Sequence, residues 1–123
     1  MDERHVRPGV RFAVDAYVNF ARTQPWPIAA ASSLTELFAP ELMAQRLEAF
    51  QKHYSWVRSE GLEYFRVRLT QARQDSELAL AITLKYCVGL SMQEAAVAAL
   101  RFKCDVLWSM LDALLVSRQE TMA

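Results

Sequence analysis

The prolines of this sequence divide its first forty positions into segments of helical length. Proline lacks a backbone N–H and is accepted in the first turn of a helix but not in its interior. Pro8 precedes one segment, Pro25 and Pro27 separate it from the next, and Pro40 opens another. This punctuation predicts three helices, 10–22, 27–38 and 40–52.

The second half of the sequence contains fewer breaks and predicts two long helices. Gly89 is the expected stop of a fourth helix over 60–86. Ser91 and Glu94 have the spacing of a capping box for a fifth helix, ending near Val116. No stretch alternates with period two for long enough to form a convincing strand. We therefore expect an all-α fold of about five helices, one domain over 1–123, with a frayed tail at 117–123.

Composition excludes several function classes. Lys plus Arg equals Asp plus Glu, 14 each, so the neutral chain has no global attraction to nucleic acid or to a membrane surface. Its apolar runs are far shorter than the ~18 residues that a membrane span needs. The first ten residues contain no apolar signal region, which predicts a cytoplasmic location.

Several polar residues fall on helix faces that should be apolar. At 100° per residue, Tyr64 and Arg68 point away from the polar stripe of the fourth helix, on the side that also carries Asp75. Lys103 lies opposite the polar face of the fifth helix, and Arg46 lies well away from the polar face of the third helix. Tyr17 opposes the polar stripe of the first helix. Each inward cation requires a partner, because burying an unpaired charge costs several kcal/mol.

Two kinds of partner satisfy this requirement. One is internal: Arg68 or Lys103 pairs with Asp75 or Glu36, or a long side chain extends to water. The other is an anionic ligand held between helices. The three inward cations, Arg46, Arg68 and Lys103, outnumber the one clearly inward carboxylate, Asp75. This excess of positive charge favours a ligand with several carboxylates or phosphates. Tyr17 and Tyr64 are then candidates to stack on it or to donate hydrogen bonds.

No metal site is predicted. His5 and His53 lie in a terminal segment and a loop, and Cys87 and Cys104 lack metal-ligand spacing with either histidine. The two cysteines also lack a disulfide-scaffold pattern, so reduced thiols are expected.

Five sequence runs carry a resemblance to a known family, and they span nearly the whole chain: ERHVRPGVRFAVDAYVNFAR (3–22), SSLTELFAP (32–40), HYSWV (53–57), GLEYFRVRLTQAR (61–73) and FKCDVLWSMLDAL (102–114). The chain resembles the C-terminal half of the pyrroloquinoline-quinone synthase (PqqC) family. The resemblance implies a helical bundle of the haem-oxygenase-like type. It also implies the oxidative ring closure of a carboxylated quinoline by O2, as the last step of pyrroloquinoline quinone biosynthesis, with no metal or organic cofactor.

The same resemblance assigns residue roles. Tyr64, Arg68 and Lys103 match catalytic positions, and the ligand-binding positions that match are Tyr17, Glu36 and Arg46. The arginines and Lys103 would hold carboxylates and quinone oxygens, while Tyr64 would assist the oxygen and proton chemistry.

Two differences between this sequence and the family leave two functional alternatives open. The family protein is about twice as long, and Met43 and Leu78 stand where it has histidines. The chain is thus either a synthase-type subunit that needs the missing half or a catalytically silent half-domain, which keeps an oligomer interface and affinity for carboxylated quinones. The expected partners are a second copy, as in the homodimeric family, or a separately encoded N-terminal half.

Overall fold

The computed structural model describes residues 6–122, and the side chains as far as Gln119. Its regular elements are all helical: α1 (Pro8–Thr23), α2 (Trp26–Ser32), a first 3-10 segment (Ser33–Phe38), α3 (Ala39–His53), a second 3-10 segment (Ser59–Leu62), α4 (Glu63–Tyr86) and α5 (Leu90–Met122). Within residues 6–122 there is no strand. The predicted all-α class with five helices is confirmed.

The proline punctuation placed the helix starts well. Pro8, Pro27 and Pro40 each occupy one of the first two positions of a helix, where the missing N–H leaves no bond unmade. The predicted second helix, however, is two elements, because the chain tightens into 3-10 geometry at Ser33.

The starts and ends of the long helices differ from the prediction. The first turn expected for α4 at residue 60 is the second 3-10 segment. Helix α5 begins at Leu90, and the N–H of Gln93 bonds to the carbonyl of Gly89, so Ser91 lies in the first turn and the predicted capping box is wrong. Helix α5 also continues past Val116 to Met122. Fraying of 117–123 stays a prediction.

The helices form two antiparallel pairs on either side of the α2 segment. Gly9 lies beside Ala113, and Phe20 stacks on Phe102 at 4.7 Å, so α1 and α5 run in opposite directions. Phe50 contacts Phe65 at 5.2 Å where α3 meets α4. Between the pairs, α2 and the first 3-10 segment contact both α4 and α5. The segment Trp26–Phe38, called the central segment below, therefore lies between the two helix pairs.

Small residues allow the close approach of α1 and α5. A Cβ atom placed on Gly9 would lie 2.8 Å from the Cβ of Ala113, closer than two carbon atoms can pack. Gly89 serves the other glycine role: with φ +85° it adopts a left-handed conformation at the turn into α5.

The core of the described region is built mainly from small side chains. The cluster between α2 and α5 contains Ile28, Ala31, Cys87, Ala96 and Ala99. Seven of the eleven buried apolar residues are alanines, so little large apolar surface is removed from water. Consistent with this, the chain exposes 9308 Å². A folded monomer of its 14.1 kDa is expected to expose about 6,700 Å².

None of the helices within residues 6–122 combines the length and the apolar character needed to cross a bilayer.

Candidate anion-binding site

Arg68 on α4 is held by two carboxylates. Its Nη2 donates to Glu36 Oε2 at 2.6 Å, and its Nη1 donates to Asp75 Oδ2 at 3.2 Å. Helix α4 supplies Arg68 and Asp75 seven residues apart on one face, and the first 3-10 segment supplies Glu36. The internal ion-pair interpretation is confirmed for Arg68, with both of the carboxylates that the sequence offered as partners.

Arg68 nevertheless keeps donors for a further anion. A guanidinium carries five N–H donors, and the two ion pairs use only two of them. Its side chain is 21% exposed, so it is neither sealed in the core nor free in solvent. One guanidinium paired with two carboxylates carries a net charge of −1 without a ligand, so a ligand carboxylate would have to displace Asp75, the more exposed of the two partners.

Lys103 on α5 is satisfied differently. Its Nζ lies 3.3 Å from the ring centroid of Tyr17 on α1, a cation–π contact. Among residues 6–119 no carboxylate lies within salt-bridge distance of Lys103, since the described ion pairs involve only Arg66 and Arg68. The ammonium is therefore positioned by an aromatic face and keeps its net positive charge.

Ser32 fixes the tyrosine of this pair. Its hydroxyl donates to the carbonyl of Ala29 at 2.6 Å, and its oxygen lies 3.1 Å from the Tyr17 hydroxyl. Since the single Ser32 proton is committed to Ala29, the Tyr17 hydroxyl is the donor to Ser32. Ser32 is fully buried, so its end of this hydrogen bond is shielded from water. Sequence reasoning missed Ser32, because a serine between alanines carries no signal that separates a buried acceptor from a loop residue.

The two cation sites are neighbours because of the central segment. Ser32 and Glu36 lie four residues apart across the junction of α2 and the first 3-10 segment. One anchors the Tyr17–Lys103 pair, and the other anchors Arg68. Four of the predicted site residues, Tyr17, Glu36, Arg68 and Lys103, therefore meet around one segment.

The other two predicted site residues are more open. Tyr64 precedes Arg68 by one turn on the same face of α4, packs edge-on against Phe65 and is 64% exposed. Arg46 on α3 is exposed and has no hydrogen-bond or ion-pair partner among the described residues. Neither residue is enclosed by residues 6–122, and no described polar contact joins Arg46 to Arg68, Lys103 or Tyr17.

Residues for proton transfer or metal binding are sparse in the described region. His53 is exposed at the end of α3, and His5 lies outside the described residues. In the part of the chain that the structure describes, no three His, Cys, Asp or Glu side chains are grouped as a metal site would require. Both cysteines are free, Cys87 buried and Cys104 exposed. The described cluster is thus rich in groups that bind anions and contains no imidazole.

Sequence comparison places this arrangement in a family. Residues 1–113 match the TENA/THI-4/PQQC family. The chain belongs to this family. Its helices accordingly form part of the family's haem-oxygenase-like helical fold.

Curated relatives show how much of that fold is present. The chain is 54% identical over 114 residues to the pyrroloquinoline-quinone synthase of Cronobacter sakazakii, a match of 93% of this chain and 45% of that protein. It is 56% identical over 114 residues to the synthase of Pseudomonas aeruginosa, covering 93% and 46%. For Pseudomonas putida the identity is 58% over 109 residues, covering 89% and 43%. The chain therefore spans about half the length of the curated relatives it matches.

Proposed function

We propose that this chain is a PqqC-like component of pyrroloquinoline quinone biosynthesis that binds a carboxylated quinone. The observation that carries the proposal is the pair of cations beside the central segment. Arg68 keeps three donors that the described contacts do not use, and Lys103 keeps an uncompensated charge over the Tyr17 ring. Both features suit a planar ligand with several carboxylates. Similarity to synthases of this quinone supports the choice of ligand.

Within this proposal the residues have distinct roles. Arg68 and Lys103 hold ligand carboxylates or quinone oxygens, and Arg46, exposed on α3, is a further candidate cation for the ligand. Tyr17 contributes its ring edge, since its hydroxyl is committed to Ser32. Tyr64 faces the open side of Arg68, where it can contact the ligand or the oxygen that the family reaction consumes. No metal or organic cofactor is included in the proposal.

A second candidate is favoured by one observation: the described cluster contains no histidine. Oxidative ring closure requires several proton transfers, for which an imidazole is the usual side chain near neutral pH. A catalytically silent module that binds the quinone without forming it fits this composition. On the first candidate, the full ring closure by O2 needs residues from the rest of the family fold. The cytoplasmic location stays a prediction.

A titration tests the binding function. We would add pyrroloquinoline quinone to the purified chain and follow the quinone absorbance, then repeat with Arg68→Ala and Lys103→Ala. Arg66→Ala is the matched control, because Arg66 lies on the same helix but bonds to Ser59 and Glu63, away from the site. We expect saturable binding that each site variant weakens at least tenfold and the control leaves unchanged. An absence of spectral change at high protein concentration, or equal loss in the control, would refute the proposal.

Turnover separates the two candidates. Oxygen consumption is measured with the ring-open quinoline precursor under single-turnover conditions. Quinone binding without oxygen consumption supports the silent module, whereas stoichiometric oxygen uptake by the chain alone supports the enzyme.

A further inference from the structure

Helix α5 has two apolar faces, and the described fold covers only one of them. Ala96, Ala99 and Val106 are buried against α1 and α2. On the far side of the same helix, a second set of apolar side chains is exposed. This set, the outer face, consists of Val97, Cys104, Trp108, Leu111 and Leu115.

The spacing of the outer face is that of a helix-packing seam. Its members follow one another at intervals of seven, four, three and four residues, which places them on one continuous stripe. Trp108, near its centre, is 68% exposed. Arg101, Asp105 and Asp112 border the stripe on one side only. A helix that is apolar on nearly all sides is typical of the interior of a bundle, not of its surface.

The outer face continues onto the end of α4. Val97 also lines an open groove of about 280 Å³ together with Leu34, Leu84, Cys87 and Leu100. Leu84, Val88 and Leu90, at the turn between α4 and α5, are each more than 70% exposed. The uncovered surface is therefore a contiguous apolar area on two helices, larger than the scattered apolar residues normal for a monomer.

The amount of uncovered surface indicates how large an interface a partner could form with this chain. The chain exposes 9308 Å², about 2,600 Å² more than a folded monomer of its mass. That excess is on the scale of one side of a large obligate interface. In the Pseudomonas aeruginosa relative, the 114 matched residues are 46% of the protein, so about 130 residues lie outside the match. A second copy of this chain would not supply those helices.

We infer that the outer face of α5, with the adjoining end of α4, is the docking surface for the helices of the synthase fold that these residues do not match, whichever polypeptide carries them. Trp108 is the central contact of this interface, because it is a large aromatic side chain surrounded by apolar neighbours on its own helix. This inference does not depend on quinone binding, since the outer face and the cation cluster are different sets of residues.

The test is reconstitution from two chains. The chain is co-expressed with a tagged segment of the Pseudomonas aeruginosa synthase, namely the part outside the 114-residue match. The molar mass of the purified species is then measured by light scattering. We expect a 1:1 complex. Trp108→Glu should weaken it at least 100-fold, because a carboxylate would replace an apolar anchor. Trp56→Glu is the matched control: Trp56 is 79% exposed but lies between α3 and α4, and this change should alter the affinity less than threefold.

Thiol labelling gives a second readout in the unmodified chain. Cys104 lies on the outer face and is exposed, whereas Cys87 is buried and should label slowly both in the chain alone and in the complex. Maleimide labelling of Cys104 should be fast in the chain alone and at least tenfold slower in the complex.

Three results would overturn the inference. The first is that the chain alone is a monomer with cooperative thermal unfolding, does not co-purify with the segment, and is not obtained in higher soluble yield when the segment is co-expressed. Another is a homodimer that protects Cys104 and does not exchange with the segment, which would make a second copy the occupant. The last is a complex that Trp108→Glu and Trp56→Glu weaken equally, or one that leaves Cys104 reactive, which would place the interface elsewhere.

Discussion

Arg68 and Lys103 both lie beside the central segment but are stabilised by different chemistry. Arg68 is paired with Glu36 and Asp75, whose two negative charges exceed its own, so an anionic ligand must displace one of them. Lys103 rests on the ring of Tyr17, which positions the ammonium without neutralising it. For the ligand proposed above, the difference predicts two kinds of contact: exchange of one carboxylate for another at Arg68, and addition of a new negative charge at Lys103.

The largest effect is expected at Arg68, where removal of the cation leaves two carboxylates facing each other. Arg68→Met should abolish detectable quinone binding and lower the free energy of unfolding by about 1–2 kcal/mol, between the values for exposed and buried ion pairs. Urea unfolding of the folded assembly measures the stability change. Arg66→Met removes a more exposed pair on the same helix and should cost less than 1 kcal/mol without affecting binding. Similar losses in both variants would show that the Arg68 pairs are ordinary surface contacts.

Replacing Ser32 tests the hydrogen bond that holds Tyr17, and thereby the contact between Tyr17 and Lys103. Ser32→Ala removes the acceptor of the Tyr17 hydroxyl and should cost about 1 kcal/mol of stability. Ser33→Ala is the matched control, because Ser33 makes the same 2.6 Å bond to the carbonyl one turn back but receives nothing from Tyr17. Thermal or urea unfolding of both variants gives the difference. Equal costs would mean that the Tyr17–Ser32 bond contributes nothing.

The cation–π contact itself is expected to contribute less. A double-mutant cycle of Lys103→Met and Tyr17→Leu should give a coupling of about 0.5–1 kcal/mol. The single change Tyr17→Phe keeps the ring and should preserve that coupling while losing the bond to Ser32. A coupling that vanishes with Tyr17→Phe would assign the interaction to the hydroxyl instead of the ring.

Arg46 should show the smallest effect on stability. It is exposed and has no hydrogen-bond or ion-pair partner among the described residues, so Arg46→Gln should change the unfolding free energy by less than about 0.5 kcal/mol. If Arg46 contacts the quinone, the same variant weakens binding several-fold at unchanged stability, as absorbance titration would reveal. Unchanged affinity would confine the anion site to Arg68 and Lys103.

The helices were predictable because proline and periodicity act locally. Pro8, Pro27 and Pro40 fix where helices can start, whatever the tertiary structure. The pairing of Arg68 with Glu36 was less accessible. The two residues are 32 positions apart, and a carboxylate on a short 3-10 segment has no periodicity from which to judge its facing. The pairing of Asp75 with Arg68 could be predicted, because the two residues share a face of α4.

The buried face of α5 shows where periodicity fails. At 100° per residue, Leu107 and Leu114 fall on the same side of α5 as Lys103, yet both are exposed, and the buried residues are Ala99 and Val106. Apolar residues occur on most of the circumference of this helix, so the sequence could not specify which part the rest of the chain covers.

The alanine-rich core should also govern how the protein responds to temperature. The heat capacity of unfolding grows with the apolar surface that folding removes from water. An ordinary domain of 123 residues shows about 1.5–1.8 kcal/mol/K. With mostly alanine in its core and leucines and tryptophans outside, the isolated chain should fall below that range. Its stability would then vary little between cold and warm conditions, and covering the outer face would restore the curvature of a complete domain.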